Sequence, residues 1–322
     1  MSKEQAYPAS KADKSSQPSC RELRVDSPER IYMVHYGNQA LTITSLSTKT
    51  FTMADSTPVH FFDILSDLPG PTKAWSPNTL KTRTILNFKG VSYTQTYVSY
   101  PDIEPLLKSL SVPPHPDGTA PVPHTLPAIV HPTIKSNPHG ALMDSLPIAR
   151  HLEELYPTPT IFPSGNASYA LAVAVERLMR DIAGSGYTLL IPAIRDILDP
   201  RGQEYYTRTR ATKAFFGKPL EEVKPTSEGE VRALVEKMKK DIRPLVVMLK
   251  GKSGKTGPFF EGEKPGYADL IYVAFMTWYR CADEKIWEEL IEVGDGELRA
   301  LWDAVYPWVE GQGEDKEWEV AQ

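Results

Sequence analysis

Cysteine is nearly missing from this chain. Two residues of that type in 322, Cys20 and Cys281, lie too far apart in sequence for a disulfide framework or a zinc cluster to be expected. A reducing compartment fits that scarcity, and Cys281, which follows an apolar helical stretch, reads as a buried structural thiol. Long apolar runs are missing too. Even "LIYVAFM", Leu270 to Met276, falls far short of the roughly 20 residues that cross a bilayer. No basic block occurs and the formal net charge is −5, which argues against non-specific partners such as nucleic acid or anionic lipid. These absences predict a cytoplasmic protein with neither a nucleic-acid nor a membrane partner.

The first 57 residues show no sustained apolar period apart from "IYMVHY" and are predicted to be a disordered extension. Glu4, Asp13, Glu22 and Asp26 argue against a transit peptide, and no secretory apolar core is present. "MADSTPVHFF", from Met53, reads as a natural start for the folded part.

From Pro58 onward β and α signals alternate. "VHFFDI", Val59 to Ile64, predicts a strand, and Pro77 to Lys89 a helix closed by Gly90. "SYTQTYV", Ser92 to Val98, completes a βαβ unit. A short helix after Pro101, a Pro-rich loop over 112–123, a strand over Pro127–Val130 and a short strand in "GALMDS" follow. Ile148, Leu152, Leu155 and Tyr156 then mark one helix face ending near Pro157. Past a linker over 158–166 strand signals nearly vanish. Amphipathic helices are predicted through Leu171–Ile182 and Val231–Leu249, the second bent at Pro244, with another after Gly266 and an aromatic-rich helical tail. The fold class is therefore α/β plus all-α: a βαβ-ββ-α domain over 58–157 and an all-helical domain over 167–322.

Three local features carry chemistry. Ser76 before Pro77 is an ordinary helix start, yet a helix N-terminus also favours an anion such as a thiolate, to which a serine hydroxyl can donate. Pro127 heads an apolar run but cannot donate to a sheet ladder, so an edge or a cis bond is expected there. A cis bond would turn the N–H and C=O of Leu126 outward toward an extended peptide. Asp144 and Ser145 begin a second helix. Taken singly they are caps; taken as a pair they can hold an ammonium and a carboxylate. A thiol, an extended peptide backbone and an amino-acid zwitterion together describe glutathione.

With these features in place, the chain from about Pro58 onward resembles the cytosolic glutathione transferases. Through "WSPNTLKTRTILNFKG", "YPDIEPL", "TLPAIVHP", "DSLPIARHLEELYP" and "IFPSG" it is similar to their fungal-specific serine-type class, related to bacterial β-etherases of lignin breakdown. The resemblance implies a thioredoxin-like first domain and a homodimer. It also implies that Ser76 activates the glutathione thiol with Asn78 as a second donor, that Leu126 before Pro127 pairs with the cysteinyl backbone, and that Asp144 and Ser145 hold the γ-glutamyl end. His124, Thr125 and Lys81 are weaker candidates for the glycyl carboxylate or its surroundings. "GEKPGYADL" resembles the helical domain's capping motif with Gly266 at the cap and Asp269 three residues on, a structural feature.

Two absences narrow the chemistry to this serine mechanism. No cysteine near Ser76 offers a covalent nucleophile, and no tyrosine between Pro58 and Ser76 offers a phenol. The implied co-substrate is glutathione, with no metal, and the implied second substrate is a hydrophobic aromatic electrophile, conjugated at carbon or cleaved as an ether. Two other readings leave almost the same sequence: a non-catalytic carrier of apolar ligands, and a regulatory or scaffold protein whose extension carries the function. Tyr187, Trp278 and Tyr279 are available to line an electrophile site, but aromatic residues at helical spacing more often belong to a core.

Overall fold

The protein is described by a computed structural model covering residues 20–23, 31–36, 39–43 and 57–318. It divides into two compact units, Met1–Met53 and Ala54–Gln322. In the first, strands β1 (Cys20–Leu23), β2 (Ile31–Tyr36) and β3 (Gln39–Ile43) pair in order as an antiparallel sheet, which the sequence pattern did not indicate. The rest of the predicted extension lies outside the described residues.

The second unit begins with β4 (Val59–Ile64), which is buried along its whole length. It lies between β5 (Tyr93–Val98), with which it is parallel, and β6 (Ala128–Val130), with which it is antiparallel. β6 in turn pairs antiparallel with β7 (Ala141–Met143). A strand covered on both faces and both edges reads as a continuous apolar run, and "VHFFDI" departs from this at His60 and Asp63. Asp63 is fully buried and paired with Arg83, Nη2 to Oδ2 2.8 Å. Helices α1 (Pro77–Phe88), α2 (Ile103–Ser109) and α3 (Ser145–Leu155) complete the expected thioredoxin-like βαβ-ββα arrangement.

The helical half comprises α4 (Asn166–Arg195), α5 (Pro200–Arg210), α6 (Glu228–Asp241), α7 (Arg243–Lys250), α8 (Tyr267–Ala282), α9 (Glu284–Ile291) and α10 (Glu297–Glu310). The expected bend at Pro244 is a full break. α6 ends at Asp241, and Pro244 stands in the first turn of α7, where a missing N–H costs nothing. α8 is buried along most of its length and packs on α4 and α1, which joins the two halves.

One strand departs from the all-helical expectation after residue 167. β8 (Glu314–Asp315) adds in parallel to the free edge of β5, so the sheet order is β7-β6-β4-β5-β8. Among the described residues no helix is long and apolar enough to cross a membrane.

Candidate functional site

The sheet register brings the three sequence features to one edge. Phe62 near the end of β4 pairs with Ala128 at the head of β6, and Ala128 pairs with Met143 at the end of β7. Residues just beyond these positions, the 65–76 connection, Leu126-Pro127 and Asp144-Ser145, therefore emerge together. Because β5 runs parallel to β4, with Ile64 opposite Val98, Ser99 and Tyr100 emerge there as well. This is the carboxyl edge of the parallel pair, where open α/β sheets bind ligands.

Ser76 occupies the N-cap of α1 in extended conformation, φ −70° and ψ 127°. Its carbonyl accepts from Leu80 N–H at 2.9 Å and from the Thr79 hydroxyl at 3.2 Å. Its own hydroxyl makes no cap bond, which corrects the expectation that it also serves as a cap. Pro77 at N1 has no N–H and presets the helical φ, so α1 starts without that bond. Ser76 is buried, and its hydroxyl is unpaired among the described residues. Half-buried Asn78, in the same first turn, also makes no side-chain bond there.

The Leu126-Pro127 peptide is cis. Pro127 O accepts from Asp144 N–H at 3.1 Å, which ties the head of β6 to the start of α3. Leu126 itself, side chain buried, has neither its N–H nor its C=O bonded among the described residues. Unpaired backbone of this kind beside a sheet can receive an extended peptide. Asp144 stands at the N-cap of α3 with φ 81° and ψ 133°, exposed and without a cap bond. Ser145 follows, buried, and its carbonyl accepts from the Tyr267 hydroxyl at 3.4 Å.

The weaker candidates have partners of their own. Lys81, buried on α1, donates from Nζ to both carboxylate oxygens of Glu176 on α4 at 3.0 Å. Burial pulls its pKa below the ordinary lysine value, against the pull of Glu176. Arg180 closes on the same carboxylate at 2.6 Å. This bridge between α1 and α4 joins residues far apart in sequence, and no local pattern announced it. His124 donates from Nε2 to Val112 O at 3.1 Å, leaving Nδ1 buried and without a partner among the described residues. Thr125 bonds through Oγ1 to His115 Nε2 at 2.9 Å. His115 was not marked by the sequence because it stands in a Pro-rich loop with no motif. Trp278 and Tyr279 are core residues, whereas Tyr187 on α4 is 41% exposed. Cys281 is half-buried, and burial pushes its thiol up to about 11, which makes it an inert thiol.

Known proteins share both halves of this architecture. A family model described as the N-terminal domain of glutathione S-transferase matches residues 75–155, and one described as its C-terminal domain matches residues 170–308. The glutathione S-transferase-like protein ustS of Aspergillus flavus is 54% identical over 274 residues, 84% of this chain and 98% of that protein. Among solved structures, the glutathione S-transferase CsGST63524 of Ceriporiopsis subvermispora, crystallised with glutathione, is 30% identical with a TM-score of 0.68, covering 78% of this chain and 98% of its own. The glutathione transferase GSTFuA3 of Phanerochaete chrysosporium is 30% identical with a TM-score of 0.66, covering 78% and 97%. A two-domain match, a relative sharing over half its residues and two structures aligned over nearly their whole length agree with the topology, and the chain belongs to the glutathione S-transferase family.

Proposed function

We propose that the protein is a glutathione transferase in which Ser76 stabilises the glutathione thiolate for attack on a hydrophobic aromatic electrophile, by conjugation or by ether cleavage. The observation that carries this reading is Ser76 itself, a residue buried at the N-terminus of α1 whose hydroxyl is unpaired among the described residues. A donor in that state is free for a ligand, and the helix end adds a field that favours an anion. Asn78 offers a second donor in the same turn. Each pKa unit by which the bound thiol falls corresponds to about 1.4 kcal/mol of preferential thiolate binding. Leu126 meets the cysteinyl backbone, while Asp144 and Ser145 take the γ-glutamyl ammonium and carboxylate. Lys81, bound to Glu176, acts beside that end rather than as a free cation. Thr125, His124 and the newly found His115 border the glycyl end. The protein works in the cytoplasm as a homodimer, an assembly that solution scattering would read.

The test is turnover of 1-chloro-2,4-dinitrobenzene with glutathione by wild type and Ser76→Ala. Loss of one charge-assisted hydrogen bond is expected to lower kcat/KM by about tenfold to a hundredfold and to raise the pKa of the bound thiol. Unchanged turnover in Ser76→Ala would remove the serine mechanism. A wild type that neither binds glutathione nor turns over would remove the transferase reading altogether.

A further inference from the structure

Between α4 and α6 runs the segment YYTRTRATKAFFGK, Tyr205 to Lys218, which holds four cations, four aromatic rings and no acid in a chain of net charge −5. Its first part is the end of α5, and α5 is fastened to the carboxyl edge of the sheet. Buried Asp199 caps α5 by accepting from Gly202 N–H at 3.2 Å, and its two oxygens accept from the Ser99 hydroxyl at 2.8 and 3.1 Å. Arg201 forms a bidentate pair with Asp102 at 2.6 and 2.8 Å. Tyr100, between those two anchors, has its ring centroid 5.4 Å from Tyr206, 6.2 Å from Tyr205 and 6.5 Å from Trp75. Trp75 is the residue before Ser76. Its indole N–H is buried without a partner among the described residues, so an acceptor on a ligand would satisfy it.

Arg210 completes this wall. Its guanidinium lies 4.3 Å from the rings of Tyr206 and Phe215 and 5.6 Å from that of Tyr100. It donates to Thr209 Oγ1 at 3.0 Å and neighbours the phenols of Tyr100 and Tyr206. Among the described residues no carboxylate forms an ion pair with it, whereas Arg195 and Arg201 are both paired; Arg208 is unpaired too but exposed, against the Tyr205 ring alone. Of its five N–H groups, those not taken up by Thr209 and by the Tyr100 and Tyr206 phenols remain for an anion, and a half-buried guanidinium held by ring faces gains most when one arrives.

We propose that Arg210 and its ring cage select aromatic electrophiles that carry an anionic substituent, such as a carboxylate. This rests on the transferase reading above. In the reaction the glutathione thiolate forms a C–S bond at the ring carbon bearing chloride, and the C–Cl bond breaks with chloride taking the electron pair. The thiol proton passes to water, and nothing is oxidised or reduced.

The experiment compares 4-chloro-3,5-dinitrobenzoate with neutral 1-chloro-2,4-dinitrobenzene, each kcat/KM divided by the uncatalysed rate with glutathione. Wild type is expected to favour the benzoate, and Arg210→Gln to lower the benzoate-to-neutral ratio by about tenfold, the value of one charge-assisted contact. Arg210→Lys, which keeps the charge, should retain the preference. In wild type alone the benzoate-to-neutral ratio of kcat/KM itself, not divided by the uncatalysed rates, should fall between about 0.05 and about 0.5 M salt as the screening length shortens, a readout independent of how any variant folds. A ratio equal in wild type and Arg210→Gln, or one insensitive to salt, overturns the proposal. If neither arene is conjugated, the transferase reading fails and takes this one with it.

Discussion

Asp144 sits at φ 81° with an exposed carboxylate that caps nothing. A non-glycine residue there costs of order 1–3 kcal/mol, and such outliers gather at ligand sites. Glycine would remove that cost and lose about 1 kcal/mol through unfolded-state entropy. Asp144→Gly is therefore expected to leave stability unchanged or to raise it by up to about 2 kcal/mol. It should also raise the KM for glutathione by about tenfold, because the γ-glutamyl ammonium loses its partner. Glutathione kinetics beside a melting curve decide this, and an unchanged KM would assign the strained aspartate to structure alone. Ser76 and Leu126 share its character: polar groups that the fold brings to one edge and does not pair. Their residue types and helix or strand ends are legible in the sequence. That the Ser76 hydroxyl caps nothing is not, because capping and ligand binding call for the same residue at the same position.

At the scale of elements, the legible parts are those whose stability is local. The strand "VHFFDI", the Ser76-Pro77 start of α1, Gly90 past its end at φ 63° and the Pro127 strand head all stand where the pattern placed them. α5 escaped notice because only Gly202 and Tyr206 of it are buried, so no apolar stripe marks it. β8 escaped because two residues on another segment's edge have no period at all. The start of α8 was legible through Asp269, which accepts from Gly266 N–H at 2.7 Å and Phe260 N–H at 2.9 Å. Burial pushes this carboxyl up to about 7 from 3.8, against those two bonds. Because the folded value lies above the unfolded one, the native state holds a proton that the unfolded state releases. The stability contributed by Asp269 is thus full below about pH 4 and falls as pH rises through about 7. Urea unfolding of wild type and Asp269→Asn across that range should show the wild type losing stability with pH relative to the variant. Parallel curves would mean that Asp269 titrates alike in both states.

For the molecule as a whole, the boundary between its halves is not where the composition changes. The tail after α10 returns to the first domain and is knit into it. Arg83, fully buried on α1, bonds from Nη1 to Gln95 Oε1 at 2.7 Å, Gln312 Oε1 at 3.0 Å and Tyr93 OH at 3.1 Å, beside its ion pair with Asp63. Asn87, also on α1, donates to Trp308 O at 2.6 Å and Gly311 O at 3.0 Å. Trp318 lies 4.5 Å from the ring of His60 and 5.1 Å from that of Phe62. The tail thus covers the β5 edge, which would otherwise invite another strand, and braces the helix that starts at Ser76. Ending the chain after Glu310 strips partners from a buried cation and uncovers that edge. It should lower stability by about 3 kcal/mol or more and cause concentration-dependent self-association, read by denaturant unfolding and light scattering. Gln312→Ala, which removes one acceptor from the same cation, should cost only about 1–3 kcal/mol and leave the protein unassociated. A truncated chain with an unchanged midpoint would show that the tail lies on the sheet without holding it, and that α1 keeps its place through its packing on α8 and α3 and its ion pairs with Glu176 and Asp63.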